Sequence, residues 1–137
     1  MQHFNTDDIH GFSKLYRLNL INSITGYKSA NMIGTKSDSG DENVAIFSSI
    51  THLGSNPALL HFTLRPNTVP RDTYKNIKEN KVFTVNHVSL GQIEQAHHTS
   101  AKYDENISEF DQTQLESEYR LDWYAPFVKG SPVGLGC

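Results

Sequence analysis

The hydrophobic positions of the chain fall into short runs, and their spacing predicts strands in the first half of the sequence. The run "SANMIGT" and the β-branched, aromatic run "NVAIFSSI" flank "KSDSGDE", whose Ser, Asp and Gly residues favour a turn. Strand, turn and strand together predict a hairpin over residues 29 to 50. The segment "ALLHFTLR" alternates, which predicts a half-buried third strand with Leu60, Phe62 and Leu64 on its apolar face.

The second half of the chain mixes further strands with two short helices. Alternation in "KVFTVNHV" predicts a strand, and "APFVKGSPVGLGC" indicates the entrance to another, interrupted by Pro and Gly. A helix is predicted to begin near residue 70, and "GQIEQAHHT" predicts a second helix of about two turns. Between the second helix and the last strand, the polar pattern of residues 100 to 119 predicts a long covering loop with short helical pieces.

These elements define a fold class and a domain plan. Several short antiparallel strands with inserted helices favour a mainly β protein, a small barrel or sandwich, over a doubly wound sheet. A length of 137 residues suits one domain. Residues 1–16 are polar and weakly patterned, so we expect an N-terminal arm there and one domain over residues 17–137.

Charge and composition narrow the classes of function. The net charge is −3, so no overall positive field attracts nucleic acid, and any anion site must be local. The single cysteine, Cys137, excludes an intrachain disulfide and suits a reducing compartment. The N-terminus lacks the pattern of a signal peptide and no apolar run is long enough to span a membrane, which predicts a cytoplasmic protein without a membrane segment.

The segment "RPNTVPRDTYKNIKEN" is the strongest candidate for an anion site. Pro70 suits the first turn of a helix, where free N–H groups and the helix dipole attract negative charge. Arg65, Arg71 and the Thr73 hydroxyl would complete a cradle for one phosphate monoester. The alternative is that Asp72 and Thr73 cap the helix while the arginines pair with surface acids. This segment alone leaves both interpretations open.

Other polar residues give weaker signals. Ser48 and Ser49 follow a predicted strand, where their hydroxyls could contact a phosphate or a flat heterocycle, although serines there commonly bond locally. His97 and His98 are adjacent and would point ~100° apart on a helix, so we predict no metal site. Cys137 shows no signal of a lowered pKa, and no acid and base pair has diagnostic spacing. We therefore predict no catalytic side chain and expect a cofactor to supply the reactive atoms.

Read together, four segments resemble a known family. The segments "AIFSSITHLGSNPALLHFTLRP", "RDTYKNIKENKVFTVNHV", "TSAKYDENISEFD" and "APFVKGSPVGLGC" are similar, in order and spacing, to the flavin reductase-like family of FMN-binding split-barrel proteins, including its flavoredoxin-type members. The resemblance runs from about Arg17 to the last residue. It implies an antiparallel Greek-key split β-barrel that forms a homodimer and binds FMN near the dimer interface.

The resemblance also implies roles for particular residues. It implies that the strand segment along the flavin ring comprises Ala45, Ile46, Phe47, Ser48 and Ser49, and that the ring or ribityl chain lies near Ser29, Ala30 and Asn31. The phosphate-binding helix entrance would be Arg71, Asp72 and Thr73, with Arg65 and Thr68 as helpers. Closure over the cofactor is implied for Thr99, Ser100 and Tyr103.

The activity implied by the resemblance is an NAD(P)H-dependent reduction of FMN. Two alternatives remain: a flavoredoxin-type FMN electron carrier, and a shortened dimeric homologue without enzymatic activity. Two departures from the family pattern bear on this choice. His97 and His98 stand where the family often has small or amide residues, and the family's domain continues with further strands beyond the segment that matches "SPVGLGC", so we expect a barrel whose C-terminal strands are missing.

Overall fold

A four-stranded antiparallel sheet organises the protein. The computed structural model describes residues 2–65, 70–104 and 107–137. The sheet has the order β2-β1-β5-β8, and its strands are β1 (Asn31–Lys36), β2 (Glu42–Phe47), β5 (Thr84–His87) and β8 (Gly134–Gly136). The hairpin predicted over residues 29 to 50 is confirmed, with Asn31 opposite Phe47 and Lys36 opposite Glu42.

The chain crosses this sheet closely at Gly34. Thr84 lies opposite Gly34 in the β1–β5 pair, and its hydroxyl donates to the Pro126 carbonyl over 2.6 Å. A Cβ atom on Gly34 would lie 2.2 Å from the same carbonyl oxygen. Only a glycine therefore lets the segment that ends in β7 (Phe127–Val128) pass over the sheet. This segment pairs with β6 (Ser117–Glu118).

The two faces of the β1–β2 hairpin have different partners because side chains alternate along a strand. Met32 and Val44 belong to the apolar core, which continues through the short helices α4 (Ile93–His98) and α5 (Glu109–Thr113). That core comprises Met32, Val44, Ala96, Phe110, Leu115 and Val128. The opposite face carries Asn31, Thr35, Asn43 and Phe47, and helix α3 (Asp72–Asn80) packs on its Thr35 end.

Helix α3 begins two residues later than predicted. The sequence places the start near residue 70 with Pro70 in the first turn, whereas the first helical residue is Asp72. Arg71 is the N-cap residue, with extended backbone angles. Pro70 therefore lies outside the helix, where its fixed φ directs the chain into the N-cap residue and not into the first turn. The other helix predicted from the sequence, α4, is confirmed and follows a 3-10 turn at Leu90–Gln92.

A second hairpin stands apart from the sheet and corrects the prediction for "ALLHFTLR". Its strands are β3 (Thr51–Ser55), which the sequence analysis missed, and β4 (Ala58–His61). They form a separate two-stranded sheet, and every β4 residue is exposed. The strand is shorter than predicted, because it ends at His61, and Leu60 on its predicted apolar face is 48% exposed. The alternation continues beyond the strand, where Phe62 and Leu64 are partly buried and Thr63 is exposed.

The N-terminal region is more ordered than the predicted arm. It forms α1 (Thr6–Gly11) and α2 (Lys14–Ser23), so the boundary predicted after residue 16 falls inside a helix. Neither helix buries a residue. Within the described ranges, no helix combines the length and apolar character needed to cross a membrane. The mainly antiparallel fold class is confirmed, whereas the cytoplasmic location stays a prediction.

Candidate functional site

The entrance of α3 carries backbone N–H groups for which the described residues provide no hydrogen-bond partner. Hydrogen bonding inside the helix starts with the Lys75 N–H, which donates to the Arg71 carbonyl over 3.0 Å. The N–H groups of the first turn precede this bond, and in the described part of the chain no side chain caps them. The predicted alternative, that Asp72 and Thr73 cap the helix, is therefore wrong. A helix start whose N-cap residue is Arg71, and whose first N–H groups have no partner among the described residues, is an environment that favours an anion.

The Thr73 side chain points away from this entrance and into the protein. It is buried, and its hydroxyl lies 3.0 Å from the Asn43 amide. A continuous chain of hydrogen bonds follows: Asn76 Nδ2 donates to Thr35 Oγ1 over 3.1 Å, Thr35 bonds Asn43, and Asn43 Nδ2 donates to Glu109 Oε2 over 3.1 Å. Because a carboxylate only accepts, the amide nitrogen of Asn43 must face Glu109. We call these five side chains the polar chain.

Glu109 ends the polar chain with a partly buried carboxylate. Its Oε2 atom also accepts from the Val44 N–H over 3.3 Å. Burial raises the pKa of this carboxyl, and the nearby Asp72 charge raises it further, although the hydrogen bonds from backbone N–H groups oppose the shift. Sequence analysis missed both Asn43 and Glu109. The only signal for Asn43 was its polar side chain at the start of the apolar run "NVAIF", which an exposed strand end would equally have explained.

The far end of the same sheet face gathers several predicted cofactor residues. Asn31 lies opposite Phe47 in the hairpin, and its amide donates to Ser29 Oγ over 3.1 Å. Ser29 donates in turn to the Ile50 carbonyl, which ties the residues before β1 to those after β2. Ser49 donates to the Thr63 carbonyl and accepts from the Thr63 N–H. The serine side chain thus joins β2 to the segment that leads towards Arg65.

Aromatic rings line the face next to this end. Phe47 packs edge-on against Phe62 with ring centroids 5.6 Å apart, and Phe62 packs against Phe83 at 5.5 Å. Ala45 lies between Asn43 and Phe47 on the same face because residues i and i+2 share a side. A flat ring placed on this face would meet apolar surface flanked by the hydroxyl and amide groups of Ser48 and Asn31.

The two predicted arginines lie on different cavities. Arg65 and Ser48 line a cavity of about 650 Å³, together with Lys28 and residues at the end of α2: Asn22, Ser23, Gly26 and Tyr27. Arg71 and Asp72 line a larger cavity of about 980 Å³ between α3, the β1–β2 turn and α5. The prediction that both guanidinium groups serve one cradle stays untested. Thr68, the other predicted helper, lies outside the described residues.

The predicted closing segment contacts β2 through one residue. Thr99 is 4% exposed, and its hydroxyl accepts from the Ile46 N–H over 2.9 Å and donates to the Ala96 carbonyl over 2.8 Å. Ser100 is exposed and donates to the His97 carbonyl. The Tyr103 hydroxyl donates to the His98 carbonyl over 3.3 Å. These three residues follow α4, and of the four bonds only the one that Thr99 accepts from the Ile46 N–H reaches the strand.

The site offers little protein-based chemistry. In residues 2–65, 70–104 and 107–137, no group of three or more His, Cys, Asp or Glu side chains could hold a metal ion. Burial raises the pKa of the Cys137 thiol, so its thiolate fraction at neutral pH is small. The arrangement can bind an anion at one end of a sheet face and a flat polar ring at the other. It suits a bound cofactor better than catalysis by side chains alone.

Comparisons with known proteins agree with this arrangement. Residues 25–137 match the flavin reductase like domain. A split-barrel protein of the flavin reductase type from Shewanella frigidimarina NCIMB 400 is 44% identical, with a TM-score of 0.93 over 99% of this chain and 67% of that one. The FMN-binding domain of a flavin reductase-like enzyme from Shewanella baltica OS155 is 20% identical, with a TM-score of 0.70 over 80% of this chain and 56% of that one, a likeness of fold alone.

A curated protein is also similar in sequence. An uncharacterised protein of Aquifex aeolicus (strain VF5) is 29% identical over 107 residues, which are 77% of this chain and 55% of that relative. This chain therefore spans about half the length of the curated relative it matches. The match over residues 25–137 and the likeness to the Shewanella frigidimarina protein show that the chain belongs to the flavin reductase-like domain family. The predicted family and its split-barrel fold are confirmed.

The raised pKa of Glu109 predicts a pH-dependent effect of Glu109→Gln. Glutamine keeps an acceptor for the Val44 N–H and removes the charge. The folded pKa lies above the ordinary value of 4.5, so the wild-type protein loses stability as the pH rises from about 4.5 through the folded pKa. The free energy of unfolding of the variant should therefore exceed that of the wild type by an amount that grows across this window and is constant above it.

Urea unfolding between pH 4 and pH 8 measures this difference. Glu116→Gln is the matched control, because Glu116 is exposed and pairs with Lys129 at the surface. Its difference from the wild type should not grow in the same window. A Glu109→Gln variant whose stability runs parallel to the wild type at all pH values would contradict the raised pKa.

Proposed function

We propose that the protein is an FMN-binding flavoprotein whose activity is the NAD(P)H-dependent reduction of the flavin. One observation carries the proposal: a single sheet face joins an uncapped, arginine-flanked helix entrance to a ring-sized apolar surface. Asn43, beside the entrance, and Phe47, at the ring end, are four residues apart on β2, about 13 Å at ~3.3 Å per residue. An extended flavin mononucleotide spans such a distance.

The residues fit such a cofactor by their chemistry. Arg71 and the N–H groups of Asp72 and Thr73 would hold the phosphate, since the Thr73 hydroxyl already bonds Asn43. Asp72 contributes its N–H group and not its carboxylate, which would repel a phosphate. Ala45, Ile46 and Phe47 would lie along the ring, with the ring edge towards Ser48, Ser49 and the segment Ser29, Ala30 and Asn31.

In this proposal the cofactor and the protein contribute different parts of the reaction. FMN, when bound, supplies the atom that accepts and gives up hydride. The protein's share is to orient the ring, exclude water with Phe47, Phe62 and Phe83, and direct N–H dipoles at the ring edge where negative charge develops. This share needs no titratable side chain at the reacting atom.

The absorbance spectrum of the purified protein tests this function. We expect a yellow protein, or a colourless one that becomes yellow on titration with FMN, whose flavin absorbance bleaches within seconds of adding NADH or NADPH without oxygen. Bleaching only by a reduced partner protein would replace the reductase with the carrier of flavoredoxin type. A protein that cannot be reconstituted with FMN at all would contradict both and favour the non-enzymatic homologue.

Arg71→Ala tests the phosphate contact. Loss of one charge-assisted contact should weaken FMN binding by about 1–3 kcal/mol, which is roughly 5- to 150-fold in Kd. Riboflavin, which lacks the phosphate, should bind the variant and the wild type equally. Fluorescence titration measures both ligands. Arg120→Ala is the control, because Arg120 pairs with Glu118 away from both cavities. Unchanged FMN affinity in Arg71→Ala would refute the assignment.

We also propose that a second copy of the chain covers the apolar surface next to the site. Two apolar groups are exposed: Leu15, Leu18 and Ile21 on α2, and Leu53, Leu59 and Leu60 on the β3–β4 hairpin. Both flank the cavity that holds Ser48, because α2 ends in its lining and β3 follows Ser49 closely. Contiguous apolar patches of this kind commonly mark protein interfaces, and the family resemblance implies a homodimer.

Charged substitutions in these groups should separate the copies. Leu18→Asp and Leu60→Asp should each weaken dimerisation by about 2 kcal/mol or more, as expected for an apolar anchor in an interface. Light scattering over a concentration series should then show monomers where the wild type shows dimers. Leu90→Asp is the matched control, since Leu90 is 90% exposed and lies on neither group. A wild type that is monomeric at high concentration would overturn the proposal.

A further inference from the structure

The outer edge of β2 is closed by side chains and not by another strand. β2 lies at one edge of the four-stranded sheet, with β1 as its only strand neighbour in the described structure. Along such an edge, alternate N–H groups point away from the sheet and need partners. On β2 those groups include the ones of Val44 and Ile46, and both are bonded to side chains that follow in sequence more than fifty residues later.

The Ile46 N–H is bound by a fixed hydroxyl. It donates to Thr99 Oγ1 over 2.9 Å, and that hydroxyl donates to the Ala96 carbonyl over 2.8 Å. Thr99 is the C-cap residue of α4 and is almost fully buried. With one neighbour receiving its proton and another donating to its oxygen, the Thr99 side chain has a single favoured orientation. It locks the end of α4 to the middle of β2.

The Val44 N–H has a partner of the same kind on the next helix. It donates to Glu109 Oε2 over 3.3 Å, and Glu109 is the first residue of α5. The same oxygen accepts from Asn43 Nδ2, so Glu109 holds two neighbouring residues of β2. Ala96 and Phe110, on the two helices, join Val44 in the apolar core beneath these bonds. Helices α4 and α5 therefore hold β2 in two ways: their apolar side chains pack against it, and their side chains accept hydrogen bonds from its outward N–H groups.

We propose that Thr99 and Glu109 are positioning residues, which fix the strand along the flavin ring by accepting the Ile46 and Val44 N–H groups that β2 turns away from β1. The inference rests on the proposed flavin site. It assigns Thr99 a role through Ile46 in place of the direct cofactor contact implied by the family resemblance. A flavin ring on the β2 face that carries Ala45 and Phe47 needs the strand held within a fraction of an ångström. An edge strand that is hydrogen-bonded on one side only is free to fray.

Thr99→Val tests the first of these contacts, since valine keeps the shape and removes the acceptor. In the FMN-free protein we expect the Ile46 amide to exchange with deuterium about tenfold faster or more, because its N–H loses a buried partner. FMN affinity should fall about tenfold for the same reason. Thr99→Ser, which restores the hydroxyl, should return both values towards those of the wild type.

Two internal standards make the result decisive. Ser100→Ala removes a neighbouring hydroxyl that donates to the His97 carbonyl, and it should not change exchange at Ile46. The Val85 amide on the central strand β5 reports global opening. If Ile46 and Val85 accelerate equally in Thr99→Val, or if Ile46 exchanges as in the wild type, the positioning role is wrong.

Glu109 gives an independent test at the second contact. Glu109→Met removes the acceptor at similar size, whereas Glu109→Gln retains it. We expect faster exchange at Val44 and weaker FMN binding, by about fivefold to tenfold, in the methionine variant only. Equal behaviour of the two variants would overturn the role of Glu109. If the wild type itself binds no FMN, the proposed function fails, and the exchange rates of Val44 and Ile46 still decide whether these residues position the strand.

Discussion

The polar chain from Asn76 to Glu109 is the interaction on which the arrangement of the protein depends. Its members come from α3, β1, β2 and α5, so one hydrogen-bonded row fixes four elements against one another. Burying these groups would cost several kcal/mol if they were unpaired, whereas a satisfied row makes the packing specific. An apolar row of the same size would hold the elements as tightly but would let α3 slide along the hairpin.

Because Thr73 belongs to the polar chain, the helix entrance remains open. Asn43 holds the Thr73 hydroxyl 3.0 Å away inside the protein, so this hydroxyl does not occupy the backbone donors at the start of α3. The residues of the polar chain thus also shape the proposed anion site. In that proposal, stability and binding would be coupled at Thr73.

Sequence reasoning predicted what depends on local pattern and missed what depends on distant partners. The hairpin, β5 and α4 follow from turn residues and alternation, and each is confirmed. The exposure of Leu60 in "ALLHFTLR" does not follow, because alternation cannot say which positions of the apolar face have a partner: Phe62 packs on Phe47 and Phe83, whereas Leu60 is 48% exposed. Asn43 and Glu109 are 66 positions apart, and no spacing rule connects a strand residue to a helix that begins beyond a long loop. The direction of the Thr73 side chain, towards Asn43 or towards the helix entrance, was equally beyond local rules.

The position of the exposed leucines makes the proposed flavin site sensitive to assembly. The cavity that contains Ser48 and Arg65 is walled by the end of α2, the same helix that exposes Leu18 and Ile21. A second copy seated on those leucines would cover that helix and press its last turn against the cavity. Dimerisation and flavin binding would then stabilise the same set of contacts, and each must strengthen the other, since coupling between two binding events is reciprocal. In this proposal an isolated copy would still offer the phosphate end of the site but would leave the α2 wall of the ring end unsupported, so assembly would act at the ring end.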